Sequence, residues 1–166
     1  MRPTLYTVRS GAGFVSTMAK PRAGDWLTDE MAALRDADVG VLVSALTAGE
    51  AAEVALTGEP QAARDAGLRF VSIPIPDRGV PDPAAVLPDL HRLATEVRAG
   101  AHVVVHCRFG IGRSSLLAAA VLVLNGLPAE EAWDALQGAR GLPVPDTAEQ
   151  RAWPAQLPGG PLTDRP

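Results

Sequence analysis

The sequence predicts a single α/β domain, with a central mixed sheet that is parallel in its core and helices on both of its faces. Three observations carry this prediction. Apolar segments of strand length alternate with segments whose apolar positions fall at helical spacing, the pattern of a sheet covered by helices. Residues 103–105 are three consecutive valines, an unalternating run that suits a central strand buried on both faces. The chain has 166 residues, 47% of them hydrophobic and 20% charged, and a domain of that size buries roughly 68–70% of its unfolded surface without a disulfide or structural metal.

Taken in order, residues 5–8 and 14–18 read as two strands around the turn Ser10-Gly11-Ala12-Gly13. Asp25 is expected to cap a helix over 26–37, whose Leu27, Met31 and Leu34 share one face. A buried strand follows at 39–43. Between 48 and 66 a helical stretch is broken at Gly58 and Pro60, and a strand over 68–73 runs into a proline-rich loop. Residues 83–99 form an amphipathic helix stopped by Gly100. The valine strand occupies 101–106, and an apolar helix spans 114–124. The folded domain is expected to cover residues 1–153, with 154–166 a proline-rich flexible tail.

Fifteen basic against nineteen acidic residues give a net charge of −4, a poor electrostatic footprint for binding nucleic acid or an anionic membrane. The longest apolar run, 116–124, is well short of the ~20 residues that a spanning helix needs. The N-terminal residues lack the apolar block of a secretory signal, so a cytoplasmic monomer is the expectation. Cys107 is the only cysteine, which excludes an internal disulfide and any cysteine cluster for zinc or iron–sulfur.

The chemistry follows the valine strand, in His106-Cys107-Arg108-Phe109-Gly110-Ile111-Gly112-Arg113-Ser114. Glycines permit a tight loop whose amides face inward, and the helix start adds unpaired N–H groups and the positive end of its dipole. The product is a cradle for a tetrahedral dianion. Arg113 offers a planar fork for two of its oxygens, and at the floor the same positive field favours Cys107 as a thiolate, the nucleophilic form. Two other glycine-loop readings fail on spelling. A Walker loop ends in Gly-Lys-Ser/Thr where this chain has Gly112-Arg113-Ser114, and a dinucleotide fingerprint needs glycine where Ser115 stands.

His106, Cys107, Arg113 and Ser114, with five residues between the cysteine and the arginine, resemble the signature of the cysteine-based protein tyrosine phosphatase superfamily, most nearly its compact dual-specificity and bacterial members. The resemblance implies hydrolysis of phosphate monoesters through a phosphocysteine, with no cofactor and no metal. Cys107 would be the nucleophile. Arg113 and the loop of Arg108, Phe109, Gly110, Ile111 and Gly112 would hold the phosphoryl oxygens. Ser114 would hydrogen-bond the sulfur as it leaves, and His106 would order the loop. The family's general acid lies on a loop about thirty residues upstream, which is the position of Asp77, with Asp82 the second candidate because it looks like the cap of the next helix. The water-positioning loop of the classical enzymes is matched in part by Asp146-Thr147-Ala148-Glu149-Gln150, with Asp146 in place of the first glutamine and Gln150 as the supporting residue. His91 and His102 read as surface or helix-face residues.

With Arg108 the one extra charge in the loop, a phosphorylated protein or a small aryl phosphate is the expected substrate rather than a polyphosphorylated lipid. Two rival classes remain at this point. A rhodanese-type sulfur transferase would need no acid loop, and a phosphate-binding pseudophosphatase would lack the nucleophile or the acid.

Overall fold

Residues 2–157 are described in this computed structural model. Five strands make one sheet in the order β1-β2-β5-β3-β4: β1 Tyr6–Ser10, β2 Gly13–Met18, β3 Val41–Ser44, β4 Arg69–Ser72 and β5 His102–His106. Only the β1–β2 hairpin is antiparallel; β5 lies parallel between β2 and β3. Val103, Val104 and Val105 are fully buried, as their unalternating run predicts.

The helices divide between the two faces. On one, α4 (Pro83–Arg98), α5 (Arg113–Leu124) and α6 (Ala129–Arg140) share a core with Val103 and Val105. On the other, α1 (Leu27–Asp36) and α3 (Glu59–Asp65) share a core with Leu42 and Val104. Two short helices, α2 (Ala48–Glu53) and α7 (Ala148–Ala152), complete the set. Every residue of α5 is buried, because α4, α6 and the sheet enclose it. A helix apolar on all sides can be stable in water only in such a place.

Several boundaries differ from expectation, each for a local reason. Asp25 caps no helix: it lies in a 3-10 turn, Gly24–Trp26, and α1 starts after it without a side-chain cap. The stretch over 48–66 is two helices. The first is closed by a capping box, in which Thr47 Oγ1 accepts from the Glu50 amide and Glu50 accepts from the Thr47 amide. Pro60, having no N–H to lose, stands in the first turn of the second. Helix α6 was not among the sequence expectations, although Ala132, Trp133 and Leu136 form its buried stripe. The first residues of the segment expected to be a flexible tail are packed: Pro154–Gln156 is a 3-10 turn against α5, with Pro154 and Leu157 buried, and the remainder of that segment lies outside the described residues. Among those residues, no helix is long and apolar enough to cross a membrane.

Candidate active site

Strand β5 ends at His106, Cys107 follows, and α5 begins at Arg113, so residues 107–112 cross the C-terminal edge of the sheet, where ligand sites of such sheets lie. The crossing is anchored from outside. Lys20 N–H donates to the Arg108 carbonyl at 3.2 Å, and Arg140 Nε–H donates to the Gly110 carbonyl at 3.3 Å. Gly110 has φ +75°, and a Cβ there would come within 2.8 Å of the Met18 backbone carbonyl carbon; only glycine allows this approach. Inside the loop is a small cavity lined by Cys107, Arg108, Phe109, Ile111, Gly112 and Arg113, with Asp77 and Asp146 at its sides. Phe109 projects into solvent at its rim.

Cys107 is buried, and its Sγ lies 3.3 Å from Ser114 Oγ. Ser114 is therefore directed to the sulfur rather than to a helix cap, and the cap position of α5 belongs to Gly112. Arg113, also buried, divides its donors. Nη1 donates to Glu50 Oε1 at 2.6 Å and to the Ile75 carbonyl at 2.9 Å, and Nη2 donates to Glu50 Oε2 at 3.0 Å. A guanidinium has five N–H donors. The two left over, Nε–H and one on Nη2, share an edge of the fork and can meet two oxygens of a bound phosphoryl group. Asp77 Oδ1 stands 3.6 Å from Nη2, beside that edge.

The Arg113 hydrogen bond lowers the Glu50 pKa from 4.5 to about 2, against the opposing effect of burial. Burial would by itself weaken the Arg113 charge, but the hydrogen bonds and field of Glu50 outweigh it and shift its pKa upward. Both partners stay ionised at neutral pH. Beneath the cysteine lies a second buried pair: His106 Nε2 is 2.6 Å from Glu59 Oε2, with the two side chains essentially inaccessible. His106 Nδ1 is 3.1 Å from the Cys107 carbonyl; since a carbonyl only accepts, Nδ1 carries a proton. Sequence reading found neither glutamate. Glu50 had a signal in the Thr47-x-x-Glu50 capping box, whereas Glu59 had none.

Asp77 occupies a tight turn in which Gly79 N–H donates to the Pro76 carbonyl at 2.8 Å, so it is at once a turn residue and a side of the cavity. Asp82 takes the N-cap position of α4, as expected, but its side chain makes no capping bond and it is not among the cavity residues. Gln150 is fully buried. Its Oε1 accepts from the Asp146 amide and its Nε2 donates to the Gly79 carbonyl, both at 3.1 Å, so both ends of its amide face the protein. Arg108 reaches Glu53 through Nη2 at 3.2 Å, while its buried Nε has no partner. His91 is half-buried on α4. His102, half-buried at the opposite end of β5, contacts Ser16 and Phe14.

Known proteins resemble this chain to different extents. Cyclin-dependent kinase inhibitor 3 of Rattus norvegicus is 34% identical over 79 residues, which are 46% of this chain and 37% of that protein, so the match spans little more than a third of the relative's length. A crystal structure of kinase associated phosphatase, with its catalytic-site cysteine replaced by serine, superposes with TM-score 0.81 and 20% identity over 94% of each chain; at that identity the likeness is one of fold. P. aeruginosa TpbA, as a Cys-to-Ser variant in complex with pTyr, gives TM-score 0.55 and 26% identity over 86% of this chain and 78% of its own. A family model described as polymorphic toxin system, DSP-PTPase phosphatase, matches residues 16–127. That range takes in the acid-loop candidate, the whole cradle and α5, and on that match the chain belongs to the polymorphic toxin system DSP-PTPase phosphatase family.

Proposed function

We propose that the protein hydrolyses phosphate monoesters, with protein phosphotyrosine as the favoured substrate class, through a phosphocysteine on Cys107. One observation carries the reading: the lone cysteine lies at the floor of a cavity whose wall is the free edge of Arg113, with an aspartate beside that edge. The chain's family and the phosphotyrosine bound to TpbA support it.

Cys107 Sγ attacks phosphorus in line. As the ester P–O bond breaks, Asp77 gives its proton to the departing oxygen. The loop amides, the α5 dipole and the outer edge of Arg113 meet the three equatorial oxygens, where the charge of phosphoryl transfer is carried. Glu50 holds the inner edge of Arg113, so the fork is in place before substrate arrives and needs no reorganisation. Ser114 donates to the sulfur and makes it a better leaving group in the second step. Arg108 adds one charge beside the loop, which suits a single phosphoryl group on a protein or aryl group. A nucleophilic thiol fits a reducing, cytoplasmic compartment.

Purified protein assayed with para-nitrophenyl phosphate in the presence of a chelator should turn over, and Cys107→Ser should remove that turnover while leaving the circular dichroism unchanged. Persulfide transfer from thiosulfate without phosphatase activity would replace the reading with a sulfur transferase. Phosphate binding with no turnover would make it a pseudophosphatase.

A further inference from the structure

Asp146 stands against the cradle, in the cavity that also holds Cys107 and Arg113. A Cβ built on Gly112 would collide with Asp146 Oδ2, so the carboxylate fills the space that any side chain at 112 would occupy, directly against the cradle. It lines the same cavity as Cys107 and the outer edge of Arg113, with Asp77 the other carboxylate there. The two simplest structural roles for it are already taken. Thr147, not Asp146, caps α7, its hydroxyl accepting from the Gln150 amide at 3.1 Å. No arginine, lysine or histidine forms an ion pair with Asp146 among the described residues. An unpaired carboxylate beside an anion site weakens anion binding, which makes its position costly unless it acts in a step. Gln150, the residue that the sequence suggested for placing water, is buried with both ends of its amide engaged by Asp146 N–H and the Gly79 carbonyl. It positions the Asp146 backbone instead.

The geometry points to Asp146 as the catalytic base for the second step, an assignment that rests on the phosphatase reading above. Water attacks phosphorus opposite Cys107 Sγ, and its oxygen bonds to phosphorus as the S–P bond breaks. The electron pair of that bond stays on sulfur as the thiolate. One water proton passes to Asp146 Oδ2, and the other leaves with the inorganic phosphate. The two carboxylates then divide the reaction, Asp77 serving ester cleavage and Asp146 serving release of the enzyme, and exchange with solvent returns a proton to Asp77 and removes one from Asp146 before the next turnover.

Rapid-quench kinetics with para-nitrophenyl phosphate separate the steps, because this leaving group departs with little help from an acid. Asp146→Asn should keep the first-turnover rate within about twofold and lower steady-state kcat by on the order of 10². A burst of nitrophenol near one per active site should follow, with a phosphoryl adduct on Cys107 in the mass spectrum of the quenched protein. Inorganic phosphate should also inhibit the variant more tightly than the wild type, since a negative charge has left the cradle. An unchanged kcat without a burst overturns the assignment. So does a loss confined to the first turnover, or phosphate binding that weakens together with it, either of which would make Asp146 a support for the loop. Absence of any Cys107 adduct and any turnover in the wild type would overturn the phosphatase reading itself.

Discussion

Arg113 presents two edges, one held by Glu50 and the other turned to the cavity, and its expected behaviour on substitution follows from that division. Arg113→Lys keeps the charge, but an ammonium cannot grip the Glu50 carboxylate on one side and two phosphoryl oxygens on the other. The expected loss in kcat/KM with para-nitrophenyl phosphate is on the order of 10²–10³. Near-normal kinetics would mean that Arg113 serves Glu50 alone. Asp77, 3.6 Å from Nη2, has a different signature. Asp77→Asn should slow a phosphotyrosyl substrate by on the order of 10²–10⁴ with little change in binding, because general-acid help is confined to the transition state. The defect should shrink on aryl phosphates with weakly basic leaving groups, which depart without a proton. Asp82→Asn should do much less on every substrate, since Asp82 stands at the start of α4 and outside the cavity. The opposite ranking would transfer the acid role to Asp82.

At the scale of elements, α7 and the residues after it fasten the loop that carries Asp77 to the core. Gln150 Nε2 holds the Gly79 carbonyl, and Trp153 Nε1 donates to the Pro81 carbonyl at 3.0 Å. Trp133, from α6, donates to the Arg151 carbonyl at 2.9 Å, which ties α7 to the same core. Gln150→Leu leaves the Gly79 carbonyl and the Asp146 amide without these partners, at a cost of about 1–3 kcal/mol for each such group that stays buried. We expect faster amide exchange through residues 79–81 and a turnover defect that grows with leaving-group basicity, as it does for Asp77→Asn. Normal exchange there would show that the loop holds itself. These fastenings were not legible in the sequence, for a physical reason. The strand, loop and helix that carry Cys107, Arg113 and Ser114 are continuous in the chain, so spacing alone gives their geometry. Gln150 meets Gly79 across seventy-one residues, and no local periodicity records such a contact. The same holds for Asp25, whose side chain suits a cap but whose backbone enters a 3-10 turn.

Across the whole molecule, the sheet order β1-β2-β5-β3-β4 puts the chain segments that follow β3, β4 and β5 at one edge. Glu50, Asp77 and Arg113 therefore meet although they lie far apart in sequence, and fold and site stability are coupled through the Glu50–Arg113 pair. The coupling has a defined dependence on acid. The Glu50 carboxyl titrates at about 2 in the folded protein against 4.5 for the free group, so the folded state binds its proton less readily than the unfolded chain. Stability from this group is fully present above pH 4.5 and is lost as the pH falls toward about 2. Glu50→Gln, which resembles the protonated side chain in shape, should lower the urea midpoint of unfolding near neutral pH. Its difference from the wild type should narrow through that acid window and be mostly gone at the lower end, where wild-type Glu50 is about half protonated and little of its linkage to folding remains. A difference that stays constant down to pH 2 would mean that the cost of Glu50→Gln comes from lost packing or from the Thr47 capping box, and that the ion pair with Arg113 contributes little to holding the fold.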